Sequence, residues 1–185
     1  EAFQAYNNSL RQADRTAGAA GIRSELLLRV GNAYAKSRQL DQARRFYNMA
    51  LTSAVKAGNT LAEGYISLQL AMCGVAADPN AAVNNIRQVV GLFKERGYSR
   101  GLSYAELCLG AALEKGVRLT DAVAAYRSAA TDLEEAWSFR KDDLYTECEG
   151  VFFTPQRGAA YHRLLDLLLR TGQFDQAFGA AQRKQ

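Results

Sequence analysis

The sequence predicts an all-α fold, arranged as an α-solenoid of antiparallel helical hairpins. Helix-favouring residues dominate the 185-residue chain, which contains only two prolines. An apolar pattern recurs with a period of about forty residues, which is typical of helical repeat proteins. Short turn signals separate the helices within each repeat and between repeats.

The repeat is clearest where two segments carry the same residues at the same spacing. A small residue such as Gly31 lets an antiparallel helix approach closely, and Tyr34 and Tyr47 are expected to fill the space beside it. A third copy of the spacing begins near Ala82, halfway between the two segments. The matched pairs, each 79 residues apart, are Gly31 and Gly110, Ala43 and Ala122, Tyr47 and Tyr126, and Ala50 and Ala129.

The helices follow from this phase in chain order. The chain begins with the second helix of a repeat over 1–16, because Ala2, Tyr6 and Ser9 have the spacing of the later second helices. Four hairpins follow, at about 22–56, 60–95, 99–138 and 155–184. Their helices are expected at 22–37, 40–56, 60–75, 79–95, 99–115, 119–138, 155–171 and 174–184.

Two local signals refine this prediction. Asp78 is expected to cap a helix that starts at Pro79, whose fixed φ and missing N–H suit the first turn. The period fails once, since Ala122 and Ala177 are 55 residues apart, and the excess lies in 139–154. We expect an elongated helix and a loop there, or a short extra helix. The sequence thus predicts one domain over 1–185, as a fragment of a longer protein.

The spacing of small and aromatic residues resembles the tetratricopeptide repeat. This resemblance implies a right-handed superhelix in which the first helix of each hairpin lines a concave, peptide-binding groove. The repeat is longer than the usual ~34 residues, and it is similar to an extended variant in large bacterial multi-repeat proteins. Leu27 and Glu106 stand where the family usually has a large aromatic residue. The resemblance rests on Leu27, Val30, Gly31, Tyr34, Ala43, Tyr47 and Ala50.

The last hairpin carries a second resemblance. The segment from Tyr161 to Arg170, followed by Gly172, Ala177 and Phe178, is similar to the helical segment that precedes caspase-like CHAT domains. This similarity implies an effector domain beyond Gln185, for which the chain would be a regulatory array.

The candidate groove residues follow from the phase of the first helices. Asn32 directly follows Gly31 and could hydrogen-bond the backbone of an extended ligand. The alternative for each candidate is an ordinary solvated helix face. The candidates form a mixed rather than uniformly basic lining: Arg29, Asn32, Lys36, Ser67, Tyr104, Leu107, His162 and Arg163.

The sequence gives little support to catalysis, and we expect no cofactor and no metal. His162 is the only histidine, so nucleophilic chemistry would need a pair such as Cys148 and His162, for which no orienting acid is evident. The three cysteines lack metal-ligand spacing and read as free thiols. Free thiols suit a cytoplasmic protein, while an exported form with a removed signal peptide stays open.

Charge and hydropathy narrow the class of partner. The net charge of +4 is spread among acidic residues without a basic run, so no nucleic-acid partner is expected. No apolar stretch reaches the ~18 residues of a membrane span. The leading hypothesis is a protein-interaction scaffold that binds a peptide or partner domain in its groove. The alternative is a structural spacer, or a module that forms homodimers through uncapped terminal helices.

Overall fold

A computed structural model of the chain describes residues 19–138 and 157–183. These residues form eight α-helices and no strand, which confirms the all-α prediction. The described helix ends lie within two residues of the predicted ones. The predicted helix over 1–16 and the irregular segment over 139–154 lie outside the described residues. The single domain and the longer parent protein stay predictions.

The chain divides after Gly74 into two compact units, a division that falls inside the predicted repeat 60–95. The first unit contains α1 (Ala20–Lys36), α2 (Leu40–Ala57) and α3 (Thr60–Gly74). Helix α2 packs against both α1 and α3. Burial of apolar side chains stabilises this packing, and the fully buried ones include Leu27, Tyr47 and Ile66.

The second unit contains the remaining five helices, each packed against the next along the chain. Its core includes Phe93, Leu113, Tyr126 and Leu167. The helices are α4 (Pro79–Glu95), α5 (Ser99–Lys115), α6 (Leu119–Ser138), α7 (Arg157–Arg170) and α8 (Phe174–Arg183). Within residues 19–138 and 157–183, the helices lack the combination of length and apolar character that a membrane span requires.

Glycines allow the close helix contacts that the repeat predicts. A Cβ built on Gly31 would overlap the ring of Tyr47, which confirms the close approach expected in the first unit. In the second unit, a Cβ on Gly110 would lie 2.5 Å from Cδ1 and Cε1 of Tyr126. Both rings are buried. Each tyrosine thus occupies the volume that a side chain on the facing helix would need.

The turns inside three hairpins share one geometry. Arg38, Val117 and Gly172 each adopt a left-handed conformation, with φ of 59°, 58° and 72°. The amide of the next residue then reaches back to a carbonyl five residues earlier, as in a Schellman motif. These hydrogen bonds run from Gln39 to Tyr34 at 3.0 Å, from Arg118 to Leu113 at 2.9 Å and from Gln173 to Leu168 at 2.9 Å.

The predicted cap of α4 is also confirmed. The Ala81 amide donates a 2.9 Å hydrogen bond to Oδ1 of Asp78, and Pro79 occupies the first turn. Asp78 therefore satisfies one of the backbone donors that a helix start leaves unpaired.

Candidate functional site

Four of the predicted groove residues lie in the first unit. Arg29 is exposed on α1 and pairs with a glutamate one turn earlier at 2.8 Å. Asn32 is partly buried, and its Oδ1 accepts a 2.8 Å hydrogen bond from the hydroxyl of Tyr47. Lys36 is exposed at the end of α1, whereas Ser67 is partly buried in α3. The Asn32 carbonyl therefore already serves the contact between α1 and α2.

The other four predicted residues lie in the second unit. Tyr104 and Leu107 are partly buried on α5. Leu107 packs against buried alanines of α6 and α7. Its described contact is therefore with the core of the unit. His162 and Arg163 are exposed on α7. The assembly of the eight residues into one groove stays a prediction.

The second unit contains a cleft of about 220 Å³ between α6, α7 and α8. Its floor is apolar, because Ala130, Leu164 and Leu168 are buried. A Cβ built on Gly179 would meet no atom within 4 Å, so α8 leaves open space at this point. The cleft is lined by Arg127, Ala130, Thr131, Tyr161, Leu164, Leu168, Gln176, Gly179 and Ala180.

Polar groups stand at the rim of the cleft. Nη2 of Arg127 donates a 2.6 Å hydrogen bond to Oε1 of Gln176, which links α6 to α8. Because an amide is neutral, this bond does not compensate the charge of the guanidinium. The hydroxyl of Thr131 donates to the Arg127 carbonyl at 3.1 Å. The cleft therefore combines an apolar floor with a positively charged side chain at its edge.

A charged network joins α5, α6 and α7. Nη1 of Arg170 lies 2.7 Å from Oε1 of Glu114, and the hydroxyl of Tyr126 donates to Oε2 of Glu114 at 3.1 Å. Burial by itself raises the pKa of Glu114, but the hydrogen bonds from Arg170 and Tyr126 bring the pKa below its ordinary value, with help from the charge of Arg163. One predicted groove residue, Arg163, is thus close enough to act on this network.

The two described cysteines are buried free thiols. Burial raises the pKa of Cys108 to about 12, against a lowering contact from Tyr104. Burial also raises the pKa of Cys73. Since the thiolate is the reactive form, neither thiol is set up as a nucleophile near neutral pH. Cys148, the partner considered for His162, lies outside the described residues.

No metal centre stands out in the part of the chain that the structure describes. There, no three His, Cys, Asp or Glu side chains are grouped so that they could hold an ion. The cleft is a concave feature of the described residues for which a ligand can be argued.

Sequence reasoning missed this cleft, since none of the eight predicted residues lines it. Two local signals could have indicated it. Gly179 and Ala180 leave little side-chain volume at that point of α8, and Leu164 and Leu168 place large side chains a turn apart on α7. Together they describe a gap with an apolar floor.

Comparison with known proteins gave no assignment. Neither a scan against protein-family models nor a search of curated proteins found a match to this chain. The resemblance to tetratricopeptide repeats therefore depends on the residue spacing itself.

Proposed function

We propose that this chain is a non-catalytic protein-interaction scaffold, an α-solenoid of tetratricopeptide type that binds a peptide or a partner domain. The observation that carries the proposal is the cleft between α6, α7 and α8, with its apolar floor and its charged rim. In a longer protein, such a scaffold would position or regulate an attached effector domain.

The size of the cleft favours a polypeptide ligand over a cofactor. Pockets for small-molecule ligands usually measure ~300–1,000 Å³, whereas this cleft measures about 220 Å³. That volume suits one large apolar side chain. A partner would insert such a side chain as an anchor and place the rest of its contacts on the surrounding helices.

The rim suggests what accompanies the anchor. A carboxylate or a backbone carbonyl beside the anchor could accept a hydrogen bond from Arg127, in exchange for the one now made with Gln176. In this proposal, the exposed His162 and Arg163 on α7 also line the concave groove that binds the partner. We therefore expect ligands with an apolar residue next to acidic ones.

Peptide display on the purified chain tests this function. A random peptide library would be selected against the wild type, and the affinities of selected peptides would be measured by fluorescence anisotropy. Gly179→Leu adds a large apolar side chain at the lining of the cleft, where nothing lies within 4 Å of an added Cβ. Gly91→Leu is the matched control, since this glycine of α4 is equally open and does not line the cleft.

The proposal expects Gly179→Leu to weaken binding by tenfold or more and Gly91→Leu to leave it unchanged. Arg127→Gln should weaken acidic peptides by roughly three- to tenfold, the scale of a partly exposed charged hydrogen bond. Peptides that bind both glycine variants with wild-type affinity would remove the cleft from the binding site.

A second candidate, self-association, has its own observation. Phe174 and Phe178 lie one turn apart on α8 and are 66% and 68% exposed, and large exposed apolar patches often mark contacts. Sedimentation analysis over a range of concentrations would test it. A dimer that Phe174→Ser and Phe178→Ser together dissociate would favour this candidate, and a monomer throughout would exclude it.

A further inference from the structure

The second unit contains two partly buried carboxyl groups that lie close together. Glu106 of α5 and Asp132 of α6 are within hydrogen-bonding reach of each other. The hydroxyl of Ser128 donates a 2.8 Å hydrogen bond to Oε1 of Glu106. Oε2 of Glu106 and Oδ2 of Asp132 are buried, and neither has a hydrogen-bond partner among the described side chains and backbone.

Two ionised carboxylates cannot satisfy each other, because both are acceptors and both carry negative charge. A single proton on the pair removes one charge and supplies the missing donor. The remaining carboxylate then accepts that hydrogen bond. Such pairs titrate as a unit, and one of the two deprotonations is strongly delayed.

We propose that Glu106 and Asp132 share one proton and act as a pH-sensitive lock between α5 and α6, closed under acidic conditions and released above neutrality. The proton bridges the two helices, and its loss leaves two facing negative charges where α5 meets α6. Ser128 supplies one hydrogen-bond donor there, and the neighbouring Leu107 packs against buried alanines. Release weakens the second unit and loosens α6, which also forms one wall of the cleft.

The surroundings of the pair fix the direction of its pH dependence. Burial is the largest influence and raises the pKa of Glu106 to about 7, the Ser128 hydrogen bond lowers it, and Asp132 raises it. Lys94 of α4 is the cation that opposes this shift. Since the folded pKa lies above the ordinary value of 4.5, the stabilisation is complete below that value and is lost as the pH rises through about 7.

Carbon-13 NMR of the side-chain carboxyl groups measures this directly on the wild-type chain. The Glu106 carboxyl signal, assigned by its disappearance in Glu106→Gln, should titrate with a midpoint near 7. A midpoint near 4.5 would overturn the proposal. The titration is followed on the wild-type chain, and Glu106→Gln serves only to assign the signal.

Thermal unfolding from pH 5 to pH 8.5 supplies the functional readout. Glu106→Gln imitates the protonated acid, because its amide can accept from Ser128 and donate to Asp132. The melting temperature of Glu106→Gln relative to the wild type should therefore rise with pH, by roughly 3 °C for a domain of this size. The control Glu95→Gln, at an exposed position of α4, should show a constant difference.

The proposal would also be overturned if the melting temperatures of Glu106→Gln and the wild type differed by the same amount at every pH. Neither experiment involves a ligand, so the lock and the proposed binding function can fail separately.

Discussion

The hydroxyl of Tyr47 donates a 2.8 Å hydrogen bond to Oδ1 of Asn32, and the ring of the same tyrosine fills the space above Gly31. The Tyr47 side chain of α2 therefore contacts two neighbouring residues of α1. Its ring packs on the backbone of Gly31, and its hydroxyl binds the side chain of Asn32. This arrangement couples the steric fit of the two helices to a hydrogen bond, and it can be tested in both respects.

The steric part predicts opposite effects for two glycines of α1. Gly31→Ala should destabilise the chain by ~1–3 kcal/mol, because the added methyl group overpacks the Tyr47 ring. Gly21→Ala should stabilise it by ~0.5–1 kcal/mol, since alanine is the better helix former and nothing lies within 4 Å of a Cβ there. Urea unfolding measures both. Equal stabilities of the two variants would contradict the close contact.

The polar part predicts energetic coupling between Tyr47 and Asn32. A double-mutant cycle with Tyr47→Phe and Asn32→Ala should give a coupling energy of ~1 kcal/mol. Burial raises the pKa of Tyr47 above its ordinary value of 10.0, so its hydroxyl keeps its proton to a higher pH than a free tyrosine does. Ultraviolet titration of Tyr47→Phe against the wild type checks that shift. Additive effects of the two mutations would exclude the hydrogen bond as a stabilising contact.

The turn between α5 and α6 predicts an unusual benefit from glycine. Val117 has a φ of 58° and is 78% exposed, so a β-branched residue is strained there without gaining burial. Val117→Gly should stabilise the chain by ~0.5–1 kcal/mol. Glycine relieves the backbone strain of the folded state, and this gain exceeds the cost of the greater conformational freedom that glycine gives the unfolded chain. Val55→Gly is the control, because Val55 is exposed inside α2 and its replacement by glycine should cost ~0.3–0.5 kcal/mol in helix propensity. The thermal midpoints of the two variants should move in opposite directions.

The N-terminus of α4 predicts a cost for losing its cap. Asp78→Ala should destabilise the chain by ~1 kcal/mol, because the Ala81 amide loses its acceptor. Asp78→Asn keeps a side-chain oxygen in place and should lose only a few tenths of a kcal/mol. Denaturant unfolding of the three proteins checks this order, and an alanine variant as stable as the wild type would show that the cap contributes nothing.

The network around Glu114 predicts a shift in acid titration. Arg170→Gln should raise the pKa of Glu114, because the guanidinium that lowers it is gone. The folded-state pKa of Glu114 is below the ordinary value of 4.5, so its stabilisation is present above that value and is lost as the pH falls through the folded pKa. The two proteins should therefore converge in stability at low pH.

NMR titration of the Glu114 carboxyl measures this shift. Arg118→Gln is the control, since Arg118 lies just before α6 and pairs with the exposed Asp121 in its first turn. Its loss should leave the Glu114 titration unchanged. An unchanged Glu114 titration in Arg170→Gln would contradict the network.

The helices could be predicted from the sequence, because apolar periodicity and turn-forming residues are local signals. Asp78 and Pro79 mark the start of α4 by their own chemistry, and Gly31 with Tyr47 indicates a close contact by size alone. The partner of Asn32 could not be read in the same way. It depends on where the Tyr47 hydroxyl lies once two helices are packed, which no spacing along the chain specifies.

The cleft is only partly indicated by the sequence, since its walls come from three helices. Leu164 and Gly179 belong to different elements, and Arg127 reaches them from a third. The cleft exists because the side chains of the three helices do not fill the space between them. How much space stays unfilled depends on where each side chain lies. The pairing of Glu106 with Asp132 is hidden for the same reason, because each carboxylate alone resembles an ordinary surface charge.

The fit of Tyr47 over Gly31, repeated by Tyr126 over Gly110, has a consequence for how this protein can change over time. A larger residue at either glycine is tolerated only if the facing ring shrinks, and a smaller ring leaves a void that only a larger facing residue fills. Neither member of a pair can change alone without a loss of stability. In related sequences, the two members of each pair should therefore change together. Such covariation would show which helices lie side by side.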